Sequence, residues 1–121
     1  MAGSEQDPCV STVSPRIQTI RTLNDTLRKT GSGGEILITA GVQLLSHTEL
    51  IALLDAIRRF DRFDSDNDPW FEHDMGALTV DGHRYFWKID YYDALMSAGS
   101  PDPADPAVTR RVLTIMRSDE Y

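Results

Sequence analysis

Asp61, Asp64, Asp66, Asp68, Glu72 and Asp74 fall within fourteen residues, with His73 between the last two and Arg62 the only formal cation among them. Like charges this crowded repel, so the cluster calls for a cation, a basic partner or free exposure to water. Hard-cation chemistry is the first possibility. Asp64, Asp66 and Asp68 alternate as in the opening of a calcium loop. Such a loop needs Gly at its sixth position and Glu at its twelfth, where this chain has Pro69 and Met75, so an EF-hand is excluded. A looser centre, built from Asp68, Glu72, His73 and Asp74 and joined by Asp90, is what a small metal-dependent enzyme would use. The plainer reading is a solvated loop whose Asp and Asn side chains bond their own backbone.

A His between two carboxylates also suits a general base or a metal ligand. In an extended segment, however, Glu72 and Asp74 point one way and His73 the other. The simpler expectation is that His73 packs at the junction of loop and strand and donates to a backbone carbonyl. Gly31-Ser32-Gly33-Gly34 has the composition of a phosphate loop but the wrong order. Phosphate cradles follow a strand and open a helix, whereas these glycines follow a helical pattern and precede a strand. Phe86, Trp87, Tyr91 and Tyr92, interleaved with Arg84 and Lys88, have the makings of a base-stacking platform. Asp81, Asp90 and Asp93 lie beside them and oppose a phosphate backbone, which favours core packing for the stripe. There is no nucleophile elbow, no recognisable triad and no cofactor motif; His47 and His83 sit at a helix start and after a turn.

The whole chain has 121 residues and a formal net charge of −7. That charge opposes nucleic-acid binding and fits a protein partner with a basic surface, although solubility alone also explains it. A single cysteine, Cys9, excludes an internal disulfide framework and a cysteine-based zinc site. No apolar run approaches the roughly 18 residues of a membrane span. The first residues have neither the basic start nor the apolar stretch of a secretory signal, so the cytosol is the expected compartment.

The elements that must position these residues follow from periodicity. Residues 1–14 are polar or small and read as a flexible, dispensable leader, and residues 15–121 as one domain. Pro15, then Ile17, Ile20, Leu23 and Leu27, then Gly31 predict a helix over 15–30 with a glycine cap. Residues 35–40 read as a strand broken by Gly41. Ser46 and Glu49 form a capping box for a helix over about 46–61, with Leu50, Leu53, Leu54, Ile57 and Phe60 on its core face. Residues 62–74 are the acidic loop. Strands at 77–80 and 84–90 flank Asp81-Gly82, a favoured hairpin turn. Tyr85, Trp87 and Ile89 share one face of the second strand. Pro101, Pro103 and Pro106 keep residues 97–107 irregular. Val112–Met116 reads as a final strand, apolar on both faces and so central. The economical assembly is α+β, with two helices packed on one face of a small, mostly antiparallel sheet of about four strands.

Four blocks carry a resemblance. They are Asn24-Asp25, Leu27-Arg28, Thr30-Gly31 and Gly33-Gly34; Asn67-Asp68-Pro69, Glu72-His73-Asp74 and Gly76; Phe86 through Asp93; and Ser100-Pro101-Asp102-Pro103 through Arg111–Met116 to Glu120-Tyr121. Over residues 20–121 the chain resembles a family of small bacterial proteins of unknown function, met mainly in proteobacteria and around plasmids and phages. That family tends to have His-Gly where this chain has Trp70-Phe71, and Phe where it has Met75. The resemblance implies a fold-sized unit and a mobile-element setting, with no activity, cofactor or metal attached. It leads to the expectation of an accessory or inhibitor that binds a protein with a basic surface. In its sharp form this protein blocks nucleic-acid-guided defence or restriction, as an anti-CRISPR or antirestriction protein does. The expected surface is Asp61, Asp64, Asp66, Asp68, Glu72, His73 and Asp74, with Asp90, Tyr91 and Asp93 nearby. The metal-dependent enzyme stands as the alternative.

Overall fold

The computed structural model describes residues 13–121, so most of the expected leader lies outside the described residues. Ser14 opens the first helix, its hydroxyl accepting from the Ile17 N–H at 3.1 Å, and Pro15 takes the first helical position, where no N–H is needed. This helix, α1 (Pro15–Thr30), closes on Gly31 at φ 79°, the left-handed cap that glycine adopts without strain. β1 (Glu35–Ile38) leads into a single turn, α2 (Ala40–Gln43), and the Ser46–Glu49 capping box opens α3 (His47–Arg58). β2 (Met75–Val80) and β3 (His83–Tyr92) are joined by Asp81 and Gly82, both at positive φ as a two-residue hairpin turn requires. β4 (Arg110–Arg117) and a short 3-10 turn over Ser118–Glu120 complete the described chain.

The strands lie in the order β1-β4-β3-β2, with β1 and β4 parallel and the other pairs antiparallel. The protein is therefore α+β, with an open, mostly antiparallel sheet. β4 is an inner strand and buries side chains on both faces, Leu113 and Ile115 on one and Val112 and Met116 on the other. On the first face, Trp87 and Ile115 are fully buried against Leu27 of α1, Val42 of α2, Leu53 and Ile57 of α3, and Phe60. Phe60 and Phe63 both meet Trp87 edge-on, at 5.5 and 6.1 Å.

Three details depart from the periodicity, each for a tertiary reason. The first strand stops at Ile38 and α2 follows, because the Glu120 carboxylate accepts from the Thr39 hydroxyl (2.7 Å) and the Gly41 N–H (2.8 Å). α3 ends at Arg58 because Arg28 takes the carbonyls that would have continued it. On α3 the fully buried positions are Leu53 and Ile57, while Leu50 and Leu54 are half-buried. Leu54→Ala should accordingly cost only about 1 kcal/mol, below the range for a fully buried leucine, and Leu53→Ala clearly more. Urea unfolding of the two variants checks that ranking; equal losses would mean that both leucines are equally enclosed.

Candidate functional site

From Asp61 onward the chain leaves α3, crosses the open end of the helical layer and enters β2. Its acidic side chains divide by role. Asp61, Asp64 and Asp66 are exposed and join no ion pair among the described residues. Asp64 accepts from the N–H groups of Asp66 (2.9 Å) and Asn67 (3.1 Å), while Asn67 accepts from the Asp64 N–H and donates to the Arg62 carbonyl. This is a loop bonding its own backbone. Asp68 is different: it is only 4% exposed and accepts from the His73 N–H at 2.9 Å.

His73 is the centre of a half-buried latch. Its Nδ1 lies 3.0 Å from the Asp25 carboxylate of α1, and its Nε2 lies 3.5 Å from Asp68. The ring stacks on Phe63 at 3.7 Å, nearly parallel. His73 does sit at the junction of loop and strand, but its ring faces two carboxylates where a backbone carbonyl was expected. Burial alone would raise the Asp25 pKa; hydrogen bonds from His73 and Arg28 outweigh it and hold the carboxyl below its ordinary range. At Asp68 burial prevails over the His73 N–H, and the carboxyl is raised. Asp74 is raised as well, by burial and then by the neighbouring charge of Glu72.

A second group of bonds fastens the same segment. Asn24 of α1 donates to the Glu72 carbonyl (2.9 Å) and to the Tyr91 hydroxyl (2.8 Å). Tyr91 donates to the Glu72 carboxylate at 2.7 Å, and burial pushes its own pKa well up. Arg111 of β4 donates from Nε to Asn24 at 2.6 Å, bonds the Pro103 carbonyl and lies over the Tyr91 ring. Arg21 holds the Phe71 carbonyl at 2.8 Å. Phe71 and His73 both have positive φ, 63° and 55°, a backbone that L residues resist.

Of the residues expected to form one cluster, Asp68 and His73 stay in contact while the others take different partners. Glu72 turns to Tyr91 and His73 to Asp25, while Asp90 pairs with Lys88 at 3.1 Å. Asp93 accepts from the Leu95 and Ser97 N–H groups of its own turn. Both ring nitrogens of His73 face carboxylates, so neither is offered to a ligand. Among the described residues, no three His, Cys, Asp or Glu side chains gather as a group able to hold a metal ion. A cleft of about 370 Å³ lies beside the latch, walled in part by Arg21, Phe63, Asp68, Phe71 and His73.

Asn24, Asp25, Arg28 and Arg111 are the site residues that periodicity missed. Asn24, Arg28 and Arg111 are buried. The signal was present on α1: Asn24 and Arg28 stand four and eight positions after Ile20, on its buried face.

Among the described residues, no helix is long and apolar enough to cross a membrane. No curated protein and no solved structure matches the chain. One family does match, over residues 38–120, from the end of β1 through the acidic loop to the C-terminal turn. By that match the chain belongs to a family described as protein of unknown function (DUF3768).

Proposed function

We propose that the protein acts by binding another protein with a basic surface, and that residues 61–74 form the contact. The observation that supports this reading is a loop fastened by hydrogen bonds that keeps several side chains facing outward. Arg21 and Asn24 hold the Phe71 and Glu72 carbonyls and Asp25 holds the His73 ring, while Asp61, Asp64 and Asp66 are exposed and Trp70 is 72% exposed. A loop already fixed loses little entropy on docking. An exposed Trp in the same loop as exposed carboxylates suits an apolar notch with a basic rim. Surfaces built for phosphates have such rims, so a nucleic-acid-handling protein is the partner class this loop fits. Inhibition of a defence or restriction protein by a mobile-element product is the form the reading takes.

Asp68 no longer belongs to the exposed set, since its carboxylate holds the His73 N–H. The test uses Asp61→Asn, Asp64→Asn and Asp66→Asn together, which keeps the acceptor that Asp64 needs, and Trp70→Ala separately. The full chain is used to capture partners from a bacterial lysate, and the captured protein is then titrated at rising salt. Trp70→Ala should weaken that complex about thirtyfold, as loss of a hot spot worth about 2 kcal/mol does. The triple variant should keep its fold, bind poorly and lose the salt sensitivity of the complex. Unchanged binding by both variants would remove the loop from the interface.

A further inference from the structure

The outer edge of the sheet carries a feature of opposite sign to the acidic loop. β2 is an edge strand, and its register with β3 shows which backbone groups it leaves free. Val80 and His83 flank a two-residue turn and so exchange hydrogen bonds, and pairing alternates from there. The bond from the Ile89 N–H to the Asp74 carbonyl, 2.7 Å, keeps the same alternation at the far end. The N–H and C=O groups of Met75, Ala77 and Thr79 therefore point away from the sheet, and nothing among the described residues bonds them. Alongside runs a groove of about 400 Å³ between this edge and the end of α3. Arg59, Arg62 and Arg84 line it, against one lining carboxylate, Asp61. All three arginines are exposed, and among the described residues only Arg59 is ion-paired, with Asp55 at 3.1 Å.

We propose that this edge receives an extended acidic segment of a partner protein, which adds as a further strand. Outward N–H and C=O groups at alternate residues supply the main-chain bonds of strand addition, and the arginines select acidic side chains. A second copy of this chain is the poorer occupant. Edge-to-edge pairing would bring the same arginines against one another, where like charges repel. The surface shares Asp61 and Arg62 with the start of the loop but does not include Trp70, Asp64 or Asp66, so it stands whether or not those three bind.

The experiment uses the full chain with a synthetic peptide of about eight residues alternating Thr and Glu, matched by one alternating Thr and Lys. Binding is followed by amide NMR shifts and hydrogen exchange. The acidic peptide should shift and protect Met75, Ala77 and Thr79, and bind at least about tenfold tighter than the lysine peptide. Ala77→Pro removes one outward N–H without touching the bonds to β3 and should abolish binding. Arg62→Glu with Arg84→Glu leaves the strand intact and should reverse the preference between peptides. Equal binding of the two peptides, no binding, or shifts confined to other residues would overturn the proposal. So would edge amides already protected in the free chain, whether by its own N-terminal segment or, at high concentration, by a second copy.

Discussion

Arg28→Met is expected to cost about 3–5 kcal/mol, the usual penalty for removing one partner of a buried charged group. Arg28 is 2% exposed, and its Nη1 donates to the carbonyls of Ile57, Arg58 and Phe60. Those carbonyls lie at or just past the end of α3, and of the three the Ile57 carbonyl also accepts from the Phe60 N–H at 3.2 Å. The other end of the fork donates to Asp25 at 3.0 Å, and the guanidinium lies over Phe63 and Trp87 at 5.4 and 5.5 Å. One side chain thus closes α3, balances the carboxylate that holds His73 and covers the central tryptophan. Met fills much of the volume but leaves the Arg58 and Phe60 carbonyls without their Arg28 donor and Asp25 facing His73 alone. Arg28→Lys should recover less than half of the loss, since one ammonium cannot span both ends of the fork. Urea unfolding followed by circular dichroism reads both variants. A loss below about 1 kcal/mol for Arg28→Met would mean that water satisfies the end of α3.

The same residue marks the limit of what periodicity reveals. Local rules located the capping box at Ser46 and Glu49, the Pro15 start, the Gly31 cap and the Asp81-Gly82 hairpin, because each is decided by neighbours within a few residues. The inner position of β4 was also legible, since a run of apolar residues on both faces suits the interior of a sheet. The site was not legible in this way. Asp25 and His73 meet across 48 residues, and Asn24 and Arg111 across 87. Alternation along Glu72-His73-Asp74 was a poor guide because Phe71 and His73 have left-handed backbone, which breaks the period of two. Periodicity does not place the polar residues on the buried stripe of α1, because their partners lie on other elements. Burial of Asn24 and Arg28 is stable only where Glu72, Tyr91, Arg111 and the end of α3 meet them.

Gly34→Ala is expected to cost about 3 kcal/mol, the upper end of what overpacking does, and to do so for a reason its neighbours do not share. Three glycines stand between α1 and β1. Gly31 and Gly33 have φ of 79° and 89°, and a Cβ on either meets open space or ordinary contact. For them an alanine is strained only by its own backbone, about 1–2 kcal/mol. Gly34 is not in the left-handed region, and its need is space. A Cβ there would lie 2.4 Å from the Arg111 carbonyl oxygen and 2.9 Å from Leu27. The carbonyl belongs to the backbone of β4, next to the side chain that bonds Asn24, and cannot swing aside as a side chain would. Relief therefore requires β1 to move off β4, at the parallel pairing of Glu35 with Val112. The damage should spread to the latch, because the Arg111 side chain would shift with its backbone. Thermal melts of Gly31→Ala, Gly33→Ala and Gly34→Ala give the ranking, and the Tyr91 and Asn24 side-chain resonances report on the latch. Equal losses at the three positions would assign all of them to backbone conformation. A Gly34 variant that unfolds earlier with unchanged Tyr91 and Asn24 signals in its folded state would uncouple the strand pairing from the site.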